Sequence, residues 1–185
     1  DLGKLRAAHS VAVIGCGPVG LLIGQLARIS GAGPVYAFDK FPWRVDKARA
    51  YGLEAYHVDS VDALATLNAR TGGRGCDVVF EAAWADESTQ LAADMTRLGG
   101  RTVLVGIPGD DRLYLQHSTA RRKGLTLVMA RRMKHTYPRA IQLATSGQLN
   151  LDSLISDHMP LAQTAAAFER NARYDPGVIK IIVDV

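Results

Sequence analysis

From Val11 to Gly20 the chain reads Val-Ala-Val-Ile-Gly-Cys-Gly-Pro-Val-Gly, three glycines at the spacing G-x-G-x-x-G behind a short apolar run. Each glycine has its own physical role. Gly15 permits a tight turn, Gly17 lets a pyrophosphate approach the backbone, and Gly20 lets a helix pack closely on a strand. Pro18 and Val19 complete the loop, and a helix starting there turns unsatisfied N–H groups and the positive end of its dipole toward phosphate. The spacing alone is weak evidence, and its context strengthens it. Val35-Tyr-Ala-Phe-Asp reads as a second strand ending in an acid, Asp39, 19 residues after Gly20. A carboxylate there accepts hydrogen bonds from both adenosine ribose hydroxyls and repels the 2′-phosphate of NADP, so NAD is expected over NADP. The bland readings are a plain strand-to-helix turn and a solvated acid at a strand end. An S-adenosylmethionine methyltransferase also pairs a glycine turn with such an acid, and would usually add an antiparallel final hairpin.

The elements that must position these residues follow from hydrophobic periodicity. Short apolar runs at 10–14, 35–38, 54–57, 77–81, 101–105 and 125–129 alternate with helix-length stretches at 19–30, 44–51, 61–69 and 87–98, and a shorter one near 116–123. Strand, helix, strand in this order predicts an α/β fold, a doubly wound parallel six-stranded Rossmann sheet. Gly31, Gly52, Gly72 and Gly99 fall where helices should stop. Beyond Ala130 the pattern gives a helix at 137–146, an apolar stretch at 151–155, a helix at 161–173 and a final strand at 178–183. The division expected is a dinucleotide-binding domain over 1–150 and a helix-strand tail over 151–185. A lone helix and strand cannot bury enough surface to fold independently, so the tail should dock on something else.

Composition narrows the class. The 185 residues are 48% hydrophobic and 22% charged with a net charge of +4, an ordinary globular make-up. No apolar run approaches the roughly 20 residues that span a bilayer, so no membrane partner is expected. Two cysteines, Cys16 and Cys76, cannot make a disulfide framework, and no signal segment opens the chain; a reducing cytoplasmic setting is expected. A first residue of Asp1 suggests a start inside a longer chain. From Leu113 to Leu151 there is no acid but seven bases: Arg121, Arg122, Lys123, Arg131, Arg132, Lys134 and Arg139. Such a block suits nucleic acid, a phosphate-bearing ligand or a solvated face. No aromatic-rich or recognition-helix pattern accompanies it, so a positive field around a dinucleotide cleft or a solvated face is expected rather than nucleic-acid binding.

Seven segments together resemble the zinc-type medium-chain dehydrogenases, the alcohol, sorbitol and threonine dehydrogenase group, over nearly the whole chain. They are the glycine loop continued by two leucines, Asp39 with Pro42 and Arg44, Gly75-Cys-Asp-Val-Val-Phe-Glu-Ala-Ala, Gly99-Gly-Arg-Thr-Val-Leu-Val-Gly-Ile, Arg122-Lys-Gly-Leu-Thr, His158-Met-Pro-Leu and Val178-Ile-Lys-Ile-Ile-Val. The resemblance implies an NAD-binding domain of an alcohol or polyol dehydrogenase. It implies Val19 on the pyrophosphate and Arg44 beside the adenosine ribose. Glu81 to Ala83, with Ala82 at the centre, and Val105, Gly106 and Ile107 would flank the nicotinamide, and Lys180 would reach the pyrophosphate. Bland alternatives for Arg44 and Lys180 are exposed surface cations. The family's catalytic zinc, held by Cys, His and usually Glu, belongs to an N-terminal domain whose Gly-His-Glu motif this sequence lacks. No catalytic and no metal-binding residue is therefore assigned here, and the chain alone should bind NAD with little or no turnover.

The resemblance makes residues 151–185 look like half of that catalytic domain, with Leu154, Ile155, Leu161, Phe168, Ile179 and Ile181 partly exposed or covered by another chain. It also implies a homo-oligomer paired through the sixth strand, and a small-molecule alcohol or polyol as substrate. The alternative from another class is a stand-alone NAD(H)-binding or dimerisation module without enzymatic activity.

Overall fold

The computed structural model describes every residue except Lys134. It divides into two compact units, Asp1–Lys134 and His135–Val185, so the helix after Thr136 groups with the C-terminal unit rather than with residues 1–150. The N-terminal unit runs β1 (Val11–Ile14), α1 (Pro18–Ile29), β2 (Val35–Asp39), α2 (Pro42–Ala50), β3 (Glu54–His57), α3 (Ala63–Thr71), β4 (Cys76–Glu81), α4 (Ser88–Met95), β5 (Thr96–Leu104), α5 (His117–Lys123) and β6 (Thr126–Met129). Its sheet has the order β3-β2-β1-β4-β5-β6 with every pairing parallel. This is the expected doubly wound fold. A parallel β6 removes the methyltransferase alternative, which rested on an antiparallel final hairpin.

All four residues of β1 are buried, as a central strand covered on both faces requires. Ala12 and Ile14 join Tyr36, Phe38, Leu67, Val79, Ala92 and Met95 in one cluster. Val13 faces the other way, its Cγ1 3.4 Å from where a Cβ on Gly20 of α1 would stand. Burying a Val or Leu side chain contributes about 1.5–3 kcal/mol, so these two layers hold β1 in place. Strand order reverses at β1, and in such sheets ligands bind outside the carboxyl ends of the strands at that point.

Local chemistry sets the boundaries. Pro18 and Pro42 begin α1 and α2, where a missing N–H costs nothing. Asp62 caps α3 by accepting from the Ala65 N–H at 2.9 Å, and Gly72 ends it in the left-handed region at φ 60°. The helix expected to reach Leu98 stops at Met95. There the Lys123 ammonium donates to the carbonyls of Ala93, Asp94 and Thr96 at 3.1, 2.6 and 2.8 Å, satisfying a helix end that has no further turn. Gly99 is consequently not a helix stop but part of β5.

The C-terminal unit contains α6 (Tyr137–Thr145), β7 (Ile155–Pro160), α7 (Thr164–Ala172) and β8 (Lys180–Asp184), with single 3₁₀ turns at Asp152–Leu154 and Leu161–Gln163. β7 pairs with β8 in parallel, so the tail has a strand pairing of its own, contrary to expectation. Ile155-Ser-Asp-His-Met-Pro is too polar to read as a strand. Its polar side chains are spent on tertiary partners: Asp157 pairs with Arg170 at 2.5 Å and His158 with Asp184 at 3.1 Å. Ser156 Oγ accepts the Ile179 N–H at 2.7 Å, which delays β8 to Lys180. Leu154 and Ile179 are buried, whereas Leu161 and Phe168 are exposed. Among the described residues no helix is long and apolar enough to cross a membrane.

Candidate functional site

The glycine turn stands at the carboxyl end of β1. Gly15 has φ 94°, and a Cβ there would meet the Ala82 carbonyl carbon at 2.7 Å. A Cβ on Gly20 would overlap the Gly15 carbonyl oxygen, so α1 rises directly from the turn. Gly17 differs: the nearest atom a Cβ would meet is Arg44 Nη1 at 3.8 Å, which leaves a space over the backbone at the helix start. α1 begins there without a side-chain cap, beside the exposed Val19. Uncapped N–H groups at the positive end of a helix dipole, under an open approach, suit an anion.

Asp39 ends β2 and is buried, not solvated. Its carboxylate accepts the Cys16 N–H at 2.6 Å and the Phe41 N–H at 2.8 Å, one on each oxygen, with Arg44 Nη1 3.9 Å away. It therefore ties the glycine turn to the end of β2. A carboxylate has about four lone-pair sites, so two backbone donors leave acceptor capacity for hydroxyls. The Arg44 guanidinium lies over the Phe41 ring at 4.9 Å, and Phe41 stacks on Trp43 with centroids 4.7 Å apart. Beyond them, His57 Nε2 lies 2.8 Å from the Lys40 carbonyl oxygen and holds β3 against the same turn.

The ends of β4 and β5 form the opposite side. The Ala82 N–H donates to the Ile14 carbonyl at 2.7 Å, and the Val105 and Gly106 N–H groups donate to the Glu81 carbonyl at 2.8 and 3.0 Å. Ile107 is 71% exposed. The buried Glu81 carboxylate accepts N–H bonds from Ala83, Trp84 and Gly106 and the Ser88 hydroxyl. In the sequence Glu81 stands out only as a strand-end position; the signal available is an acid closing the otherwise apolar Val-Val-Phe run. Trp84 carries no sequence signal at all: it is 57% exposed with φ 59°, a left-handed conformation rare for a bulky residue.

Neither thiol is poised for nucleophilic chemistry. Burial, reinforced by the Asp39 carboxylate and opposed by Arg44, pushes the Cys16 thiol far above its ordinary range. Burial pushes Cys76 up to about 12 despite a hydrogen bond with Ser10. Among the described residues no three His, Cys, Asp or Glu side chains group as metal ligands. The arrangement can bind and orient a phosphate-bearing ligand, with the chemistry brought by that ligand.

Residues 18–146 match the family model described as Zinc-binding dehydrogenase. The chain belongs to the zinc-binding dehydrogenase family. It is similar to sorbitol dehydrogenase of Bacillus subtilis, 31% identical over 97% of this chain and 51% of the relative, and to L-threonine 3-dehydrogenase of Bacillus licheniformis, 29% identical over 98% and 53%. Its fold resembles that of alcohol dehydrogenase TADH from Thermus sp. ATN1, with a TM-score of 0.92 at 30% identity, covering 99% of this chain and 53% of that one. The chain thus spans about half the length of these relatives.

Gly15, Gly17, Pro18, Val19, Gly20, Asp39 and Arg44 gather around one turn, and Ala82, Val105, Gly106 and Ile107 line neighbouring strand ends. Lys180 opens β8 of the C-terminal unit and is exposed there. In the basic block, Arg121 and Arg122 are exposed in the last turn of α5, but Lys123 is engaged at the end of α4 and its burial lowers the ammonium pKa. Arg131 and Arg132 follow β6, Arg139 belongs to α6, and Lys134 lies outside the described residues.

Proposed function

We propose that this chain binds NAD, in preference to NADP, as the dinucleotide-binding part of an alcohol or polyol dehydrogenase. The parent reaction is hydride transfer between a secondary alcohol and nicotinamide. The observation that carries this reading is the Asp39 carboxylate, fixed by the Cys16 and Phe41 N–H groups beside the open backbone at Gly17. The cradle fits the ligand: pyrophosphate over Gly17 and Val19 at the start of α1, the adenosine ribose on Asp39 with Arg44 beside it, and nicotinamide between Ala82 and Val105–Ile107. Bound NAD supplies the hydride acceptor; the chain's residues bind it, orient it and hold it across the carboxyl ends of the strands. The described residues do not offer a zinc site, and the zinc of this family is assigned to the part of the enzyme beyond this chain, which residues 151–185 would complete. Two buried free thiols support a reducing, cytoplasmic setting.

Calorimetric titration tests the reading. NAD should bind, and NADP should bind at least about tenfold more weakly, because its 2′-phosphate meets the Asp39 carboxylate. Asp39→Asn should weaken NAD and narrow that margin; an unchanged preference would refute the ribose role. Turnover of sorbitol or a simple alcohol by this chain alone would refute its place as half of an enzyme.

We further propose that β6 pairs two copies of the chain, a pairing that suits the dehydrogenase part and equally a stand-alone NAD(H)-binding module without activity. The strand lies at the sheet edge with Leu127 and Met129 exposed, a row of unpaired backbone groups open to a second copy. Light scattering that gives a monomer for the chain would refute pairing through this strand.

A further inference from the structure

Glu81 makes more hydrogen bonds than a strand end needs. β4 and β5 lie side by side with Glu81 opposite Leu104. On Oε1 the buried carboxylate accepts the Ala83 and Trp84 N–H groups at 2.9 Å each and the Ser88 hydroxyl at 2.8 Å; on Oε2 it accepts the Gly106 N–H at 3.1 Å. The side chain thereby links the loop after β4 to the loop after β5, adding to the Glu81 carbonyl, which shares the Gly106 N–H and accepts that of Val105. The join is tight, because a Cβ on Gly106 would overlap Glu81 Oε2 and stand 3.0 Å from the Trp84 nitrogen. It also explains how Trp84 keeps a left-handed backbone, which a bulky residue adopts only where its surroundings over-determine it. The Trp84 ring lies 3.3 Å from the Cβ position of Gly109, so the second loop braces the first.

We infer that Glu81 is a positioning residue for the nicotinamide half of the dinucleotide: its carboxylate sets the Ala82–Trp84 and Val105–Ile107 backbones relative to each other without touching the ligand. The inference rests on the dinucleotide reading above. The adenosine half is held by Asp39 and the glycine turn, whose donors are Cys16 and Phe41, so the two halves depend on different carboxylates. A carboxylate accepts from all of these donors at once. The isosteric amide of Glu81→Gln would turn its own N–H toward one of the N–H groups and drive the loops apart.

Calorimetry tests this by titrating NADH and ADP-ribose into the whole chain and into Glu81→Gln. The inference expects NADH to weaken by about tenfold or more and ADP-ribose to stay within about twofold, a split that general loss of structure does not produce. Equal weakening of both ligands would assign Glu81 to overall stability and overturn the inference; no change in either would also overturn it. If the unaltered chain binds neither ligand, the dinucleotide reading falls and takes the inference with it, an outcome recognisable from the ADP-ribose titration alone. Should Glu81→Gln not fold, amide hydrogen exchange on the unaltered chain decides: Ala83 and Trp84, whose N–H groups are held by the carboxylate, must be protected although they lie in loops. Exchange at the rate of unstructured amides would overturn the inference.

Discussion

Two ends of the same sheet use buried carboxylates in opposite ways. At the amino end, Asp77 is saturated by side chains: Arg97 Nε at 2.6 Å, Arg74 at 2.7 and 3.2 Å, and the Ser10 hydroxyl at 2.9 Å, with the Ser10 N–H at 2.9 Å besides. At the carboxyl end, Asp39 and Glu81 accept mainly backbone N–H groups, and the Gly17 backbone beside Asp39 is open. Saturation by opposite charge makes a staple that has no capacity left for a ligand. At Asp39 two backbone donors leave lone pairs to use, whereas at Glu81 three backbone donors and the Ser88 hydroxyl fill the carboxylate and fix loop geometry. The contrast separates acids that hold the fold from acids that shape a site, although all three are buried.

The largest expected effect comes at the turn itself. Gly20→Ala places a methyl group on the Gly15 carbonyl oxygen, backbone that cannot move aside, and should cost about 3 kcal/mol in denaturant melts and abolish dinucleotide binding in calorimetry. Next is Asp77→Asn, which should cost about 2–3 kcal/mol while leaving dinucleotide affinity within about twofold; a large loss of affinity would break the contrast between the two ends. Burial alone would raise the Asp77 pKa, but hydrogen bonds from Arg74, Arg97 and Ser10 outweigh it and hold the carboxyl well below the usual range. Its stabilisation is therefore complete above the unfolded value of about 4 and lost as pH falls through that value toward the folded one. Stability against pH should show an acid limb that flattens in Asp77→Asn. The smallest effect belongs to Lys123→Met, about 1–2 kcal/mol in the same melts, since three carbonyls at the end of α4 lose their donor.

The parallel sheet, the succession of strands and helices and the glycine turn were legible because each rests on short-range pattern: apolar runs of strand length, Pro18 and Pro42 at helix starts, glycines at fixed spacing. Asp39 was legible for the same reason, as an acid closing a strand. Glu81 closes a strand too, yet its role depends on Gly106, which no spacing rule links to it. β7 was illegible because Ser156, Asp157 and His158 carry tertiary partners and so break the apolar signature of a strand. The end of α4 was misplaced because its cap comes from Lys123, far along the chain, rather than from the nearby Gly99.

The thiol at Cys16 is shut inside the same turn whose N–H is held by Asp39. An alkylating reagent reaches it only during moments when the turn comes apart, and a dinucleotide lying across Gly17 would make those moments rarer. Cys76, at the far end of the sheet, is buried without any connection to that turn. The chain thus carries a built-in pair of chemical clocks, one that a ligand should slow through the opening of its cradle and one that keeps time only with the fold as a whole.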